Sequence, residues 1–299
     1  MYGTNVIREA GLISRLSEMG RPIVDHGDIS YQVALEDADE SVGYIKHSRT
    51  LGNALKTVSD SVYSIVSEHQ QTCVVLGGDH SLSIGSLHGH ARAEPNMCVI
   101  WIDAHADLNL PQTSPSRNLH GMVLSFVCKE TKKYLPNVPG FEWCSPCIDA
   151  SNIAYIGLRD IDPGESYILD NYGMKCFDIH QIDKYGIAEI FSRAMEWVNP
   201  RGDKPIHLSF DIDSLDPIVS PSTGTPVWGG LTYREGMYIA EEVSRTNLMS
   251  VVDLVEVNPQ LGTPAQQEAT VQTAVDVLMA AIGKRREGNT PPDYKIPDP

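Results

Sequence analysis

No stretch of about 18 consecutive apolar residues occurs in this chain of 299 residues, so no transmembrane helix is expected. Positive charge is scarce: 23 Lys and Arg stand against 39 Asp and Glu, a formal net charge of −16. A general nucleic-acid binder, or a protein held on an anionic membrane, needs a basic face, and this balance argues against both. The acidity does not identify a cationic substrate, because solubility accounts for it. The N-terminus, Met1-Tyr-Gly-Thr-Asn-Val-Ile-Arg-Glu-Ala10, has neither the apolar core of a secretory leader nor the Ser- and Arg-rich character of a transit peptide. A cytoplasmic protein is expected, with a mitochondrial one as the alternative because the N-terminus is short. The six cysteines, at 73, 98, 128, 144, 147 and 176, sit mostly in apolar runs, as reduced core thiols do. Cys144-Ser-Pro-Cys147 is a lone CxxC without a second pair or a thioredoxin-like setting, so it reads as structural. No internal repeat and no low-complexity linker is found. One domain over residues 1–299 is expected, with 288–299 as an irregular, Pro-rich tail.

What the chain does have is alternation. Short β-branched runs at Pro22–Asp25, Thr72–Leu76, Met97–Ile102, Ile153–Ile156, Lys175–Asp178, Ile206–Phe210 and Val251–Val255 read as strands. Between them, amphipathic stretches near Val6–Glu18, Lys46–Glu68, Ser81–Arg92, Met122–Glu130, Ile187–Trp197, Tyr233–Thr246 and Pro264–Lys284 read as helices. Such alternation means βαβ units and a parallel sheet covered on both faces, an α/β fold. Near-continuous apolar strands fit burial on both sides.

Polar side chains cluster where these runs stop. Cys73-Val-Val-Leu76 leads into Gly77-Gly-Asp-His80. Cys98-Val-Ile-Trp-Ile102 leads into Asp103-Ala-His105-Ala-Asp107. Ile206-His-Leu-Ser-Phe210 leads into Asp211-Ile-Asp213. In open parallel sheets, sites form beyond the carboxyl ends of strands. Residues i and i+2 of an extended segment face one side, so Asp211 can point with Asp213, and Asp103 with His105 and Asp107. Four carboxylates and two imidazoles without a thiolate suit a hard or borderline divalent ion, Mn²⁺ first, with Mg²⁺ and Zn²⁺ as competitors. Two such ions about 3.5–4 Å apart, sharing bridging carboxylates, lower the pKa of a bridging water toward 7. A lone DxD is commonly a turn device; three clusters at successive strand ends point to a site. Asp216-Pro217 reads as a turn.

Glu256 closes the apolar run Val251-Val-Asp-Leu-Val255. A carboxylate there needs a cation, either a structural Arg or a substrate guanidinium, which it could hold in bidentate fashion. His120 follows a long polar loop in Asn118-Leu-His120-Gly121. It fits a capping histidine or a proton shuttle.

Gly77-Gly-Asp-His-Ser-Leu-Ser-Ile-Gly85, Asp103-Ala-His-Ala-Asp-Leu-Asn109, Ser209-Phe-Asp-Ile-Asp213 and Glu256-Val-Asn-Pro259 resemble the signatures of the ureohydrolase (arginase/agmatinase) family. Ser116-Arg-Asn-Leu-His-Gly121, Gly157-Leu-Arg-Asp-Ile-Asp-Pro-Gly-Glu165 and Thr223-Gly-Thr-Pro-Val-Trp-Gly-Gly-Leu-Thr-Tyr-Arg-Glu-Gly236 resemble the animal arginases within it. The resemblance implies a three-layer α/β/α fold of the arginase/deacetylase kind, with a parallel sheet of seven to eight strands. It implies two Mn²⁺ per chain, one on His80, Asp103, Asp107 and Asp211, the other on Asp103, His105, Asp211 and Asp213. A bridging hydroxide would attack the guanidinium carbon of L-arginine, yielding L-ornithine and urea, with Asp107 passing a proton to the leaving amine. His120 would shuttle protons or position substrate, and Glu256 would orient the guanidinium. Asn109, Ser114, Ser116 and Asn118 match the loop that reads the α-carboxylate, Asp162 the residue that holds the α-amino group, and Thr225 a further substrate contact. Ser114 stands for the usual Thr, and Arg117 for a small residue. A homotrimer is implied, with Arg286 and Asp183 as matching intersubunit partners. Members normally begin with a strand and a Gly-rich loop before the segment that here reads Met1 to Gly11, so an interior strand is expected to be missing. The competing readings are an impaired arginase-like protein acting through assembly, and a ureohydrolase for agmatine or another guanidino compound; a deacetylase is disfavoured by the two-metal ligand count.

Overall fold

A computed structural model of the chain describes residues 3–35, 45–290 and 294–296. Its centre is one sheet of β1 (Cys73–Leu76), β2 (Cys98–Ile102), β3 (Ile153–Leu158), β4 (Lys175–Asp178), β5 (Ile206–Asp211) and β6 (Met249–Val255). The order is β1-β6-β5-β2-β3-β4, and every neighbouring pair is parallel. Alternate residues of the buried strands serve opposite faces. Cys98, Ile100 and Ile102 of β2 join one apolar core, with Ala154 and Ile156 of β3 and Leu208 and Phe210 of β5. Val99 and Trp101, with Ile153 and Tyr155, join the other.

The first core packs against α1 (Gly3–Glu9), α2 (Leu12–Glu18), α7 (Ile179–Tyr185), α8 (Ile187–Val198), α9 (Tyr233–Arg245) and α10 (Pro264–Ala281). The second packs against α3 (Ser48–Tyr63), α4 (Leu82–Ala93), α5 (Val123–Val127) and α6 (Pro163–Tyr172). Two helix layers therefore enclose the sheet, an α/β/α sandwich. No helix among the described residues is long and apolar enough to cross a membrane.

Four expectations need correction. The described sheet has six strands, against seven to eight expected. Pro22–Asp25 is irregular: Pro22 brings no donor to a ladder, Val24 is 59% exposed, and Asp25 turns to pair with Arg8. The stretch Val6–Glu18 forms two helices because Gly11 takes φ 85° between them, a left-handed conformation that ends the first. The helix expected over Met122–Glu130 stops at Val127, where Cys128 turns extended and bridges Ile148. Two helices, α6 and α7, were not read from the sequence. Asp162-Pro-Gly-Glu165 is a full capping box with Pro at the first helical position, a legible start signal for α6.

β1 pairs only with β6 among the described residues, and Val74, Val75 and Leu76 are half-buried, so it forms one edge of the sheet. Residues 288–290 and 294–296 carry no regular structure; the rest of the expected tail lies outside the described residues.

Candidate active site

The carboxyl ends of β1, β6, β5 and β2, four adjacent strands, deliver the polar clusters to one edge. His80 lies between β1 and α4 and is 1% exposed. Its Nδ1 stands 3.1 Å from Asp103 Oδ2, 3.1 Å from Asp107 Oδ2 and 3.1 Å from Asp211 Oδ2. That nitrogen is buried and forms no hydrogen bond. His105 Nδ1 lies 3.5 Å from Asp103 Oδ1 and 3.2 Å from Asp213 Oδ2. Asp103 thus turns one oxygen to each imidazole. The ligand atoms of His80, Asp103 and Asp107, and those of Asp103, His105 and Asp213, form two groups close enough for one ion each.

The donor set fits metal. A buried nitrogen equidistant from three carboxylate oxygens, without hydrogen-bond geometry to any, is arranged as a coordination shell rather than an ion pair. Backbone amides hold the carboxylates: His105 N–H donates to Asp103 Oδ1 at 2.7 Å and Asp213 N–H to Asp211 Oδ1 at 2.7 Å. Thr225 Oγ1–H donates to Asp213 Oδ2 at 3.0 Å. Asp107 sits at φ 47°, a left-handed strain characteristic of functional positions. Burial and the charge of Asp103 push the Asp107 carboxyl up to about 8. Burial with Asp213 and Asp103 raises Asp211 well above the carboxylate range. Burial opposes charge on His105, but Asp103 and Asp213 outweigh it and push the imidazole up to about 12. This density of buried negative charge demands cations.

Of the remaining residues, Glu256 bonds to His80, His120 feels the charges of the cluster, and Asn109 bonds to Asp162. Glu256, at φ 64°, accepts the His80 N–H on Oε1 at 2.7 Å; burial pushes its carboxyl up to about 7. His120 lies half-buried in a 3₁₀ turn, Leu119–Met122; burial lowers its pKa, and it feels the charges of Asp79, His80, His105 and Asp103. Asn109 Nδ2–H donates to Asp162 Oδ2 at 2.8 Å, joining two of the residues expected to contact substrate. Ser114 Oγ accepts Arg117 N–H at 3.1 Å, Ser116 Oγ accepts Asn118 N–H at 3.2 Å, and Asn118 Oδ1 accepts Lys46 Nζ–H at 2.9 Å.

Arg117 holds φ 60° without being glycine. Arg117→Gly should relieve that strain, offset in part by glycine's larger unfolded-state entropy. A net gain of about 0.5 kcal/mol is expected in urea denaturation.

Sequence reasoning missed three supporting residues. Trp101 stacks on the His80 ring at 4.1 Å, and its Nε1–H donates to Asp103 Oδ2 at 3.0 Å. Glu165 accepts Leu108 N–H at 2.9 Å and Asp162 N–H at 2.9 Å, linking the Asp103–Asn109 loop to the start of α6. Arg159 spends its guanidinium on the carbonyls of Gly157, Asp213, Ser214, Leu215 and Val227. Only the capping-box spacing of Glu165 was visible beforehand. Arg286, expected opposite Asp183 of another subunit, grips Glu241 of its own chain at 2.8 Å.

A family model described as Arginase family matches residues 2–283. Arginase-1 of Bos taurus is 49% identical over 297 residues, covering 99% of this chain and 91% of that protein. "Arginase-2, mitochondrial" of Homo sapiens is 48% identical over 299 residues, covering 100% of this chain and 84% of that protein. Among solved structures, the arginase of Bacillus caldovelox superposes with a TM-score of 0.84 at 32% identity, covering 95% of this chain and 92% of that one.

Proposed function

The chain belongs to the arginase family, and from that premise we propose that it hydrolyses L-arginine to L-ornithine and urea at a centre holding two Mn²⁺. The observation that carries this reading is Asp103, whose two oxygens face two imidazole-bearing ligand groups, the arrangement that a pair of ions sharing a carboxylate needs. His80, Asp107 and Asp211 would hold one ion with Asp103, and His105 and Asp213 the other, with Asp211 reaching both. Divalent ions there supply Lewis acidity that brings a water's pKa near neutrality.

The chain's own groups do the rest. Glu256 receives the guanidinium with its second oxygen, Oε2, which lies beside Gly224. Asp107 stands at the metal edge, where a carboxylate can pass a proton to the leaving amine. His120, half-buried and with its pKa lowered by burial, is by resemblance the group that shuttles protons or positions substrate. The resemblance supports Asn109, Ser114, Ser116 and Asn118 as readers of the α-carboxylate and Asp162 of the α-amino group, with Asn109 and Asp162 joined by a hydrogen bond. The resemblance also supports a homotrimer, which light scattering tests. Six free cysteines fit a reducing, cytoplasmic setting.

The purified full chain should retain two Mn²⁺ and release urea from L-arginine. Agmatine, lacking the α-carboxylate, should forgo the charge-assisted hydrogen bonds of that loop and show kcat/KM lower by about 10² or more. Equal turnover of the two compounds, or no metal after reconstitution, would overturn the proposal.

A further inference from the structure

Beneath the metal edge lies a second buried polar system that the hydrolytic reading does not use. Asp253 of β6 is fully buried. Its Oδ2 accepts Ser83 Oγ–H at 2.7 Å and Ser86 Oγ–H at 2.6 Å, both from α4, and meets His207 Nε2 of β5 at 2.9 Å. His207 Nδ1 meets His90 Nδ1 at 3.1 Å, and His90 Nε2 meets Glu94 Oε2 at 2.9 Å. Three elements, α4, β5 and β6, are thus bonded to one carboxylate.

Both ends of this relay are carboxylates, and three contacts join them through two imidazoles. Burial drives His90 down to about 4. A buried carboxylate whose hydrogen bonds are filled resists losing any one partner.

The same three elements hold every other polar contact of His80. Its N–H donates to Glu256 Oε1, three residues beyond Asp253 on β6's exit, at 2.7 Å. Its carbonyl accepts the N–H of Ser83, whose hydroxyl is on Asp253, at 3.0 Å. Its Nε2 meets Ser209 Oγ at 2.8 Å, two residues above His207 on the same face of β5. Only Nδ1 is left, facing the three carboxylates.

Resting on the metal-centre reading above, we propose that Asp253, bonded to Ser83, Ser86 and His207, is a positioning residue for the ion on the His80 side: by binding α4, β5 and β6 to one another it fixes the direction of His80 Nδ1 and so sets that ion's affinity. With Nδ1 on the ion, Nε2 carries the ring proton and donates to Ser209. The register pairs Ser209 with Asp253, whose Oδ1 is buried without a hydrogen-bond partner.

The test is Mn²⁺ binding to the full chain, stripped by chelator and titrated while free Mn²⁺ is read by electron paramagnetic resonance. Asp253→Asn keeps the size and removes the charge. It should weaken one of the two ions about tenfold and leave the other unchanged. Ser83→Ala/Ser86→Ala keeps the Asp253–His207 pair and releases α4 alone. It should shift the same ion in the same direction by less, and it decides the matter if Asp253→Asn does not fold. A lower melting temperature with both affinities intact would make the cluster merely structural and overturn the proposal. Binding is read without substrate, so a chain that binds two ions but leaves arginine intact would sink the hydrolase reading and not this one.

Discussion

Asp103→Asn is expected to cost both metal ions and to lower arginine hydrolysis by about 10³ or more, the several kcal/mol that a metal centre contributes to a charged transition state. Asp103 faces His80 with Oδ2 and His105 with Oδ1, and it is fully buried. An amide keeps one acceptor and places an N–H₂ against the other ion, so neither orientation serves both groups. The remaining contacts sharpen the expectation. Trp101 Nε1–H and His105 N–H each donate to one of its oxygens, and an amide nitrogen opposes one of those donors whichever way it turns. Asp213→Asn, by contrast, touches only the His105 side and should leave one ion bound. Metal content beside urea release separates the two variants. Stability should fall as well in metal-free protein. Burial opposes the Asp103 charge, but His105 and His80 outweigh it and hold the carboxyl well below the usual range, so that charge stabilises the fold at neutral pH and the chelated variant should melt below the chelated parent.

Why the metal edge was legible and the frame beneath it was not follows from where each signal sits in the chain. His80, Asp103, His105, Asp107, Asp211 and Asp213 each follow an apolar run within a few residues, and a parallel sheet gathers the carboxyl ends of its strands. Local pattern therefore sufficed to bring them together. Asp253 stands inside such a run, in Val251-Val-Asp-Leu-Val255, and its partners come from Ser83, Ser86 and His207, 46 or more positions away. No period marks it, and its partners became visible only with the register Ser209↔Asp253. Arg159 is similar: an arginine spent on five carbonyls has no acidic partner that spacing could suggest. Pro22–Asp25 failed in the opposite direction. Its composition suits a strand, but a strand exists only where another pairs with it, and Asp25 is instead occupied with Arg8.

Glu256→Gln should lower kcat/KM for arginine by about 10²–10³ while both ions stay bound. The carboxylate divides its oxygens: Oε1 takes the His80 N–H, and Oε2 lies beside Gly224, open to a cation. An amide can still accept from His80, so the metal side survives, but it offers the substrate an N–H₂ or an uncharged oxygen. A guanidinium held by a charged, desolvated acceptor loses most of that attraction when the charge goes. The backbone at φ 64° is strained, and its N–H is tied to Gly78 O at 2.9 Å, so the side chain has little freedom to find another pose. The pH dependence gives the sign. Burial raises the folded Glu256 pKa to about 7, so the group binds guanidinium only as pH rises through that value, and kcat/KM of the parent should climb there. The glutamine variant should lack that limb. Stability runs opposite. A raised folded pKa favours the native state most below the unfolded value, and that contribution is lost as pH rises through about 7. The variant, having no charge to bury, should therefore gain on the parent in melting temperature above pH 7 and not below pH 4. Loss of activity with an unchanged pH limb would remove Glu256 from the substrate and return it to the frame that holds His80.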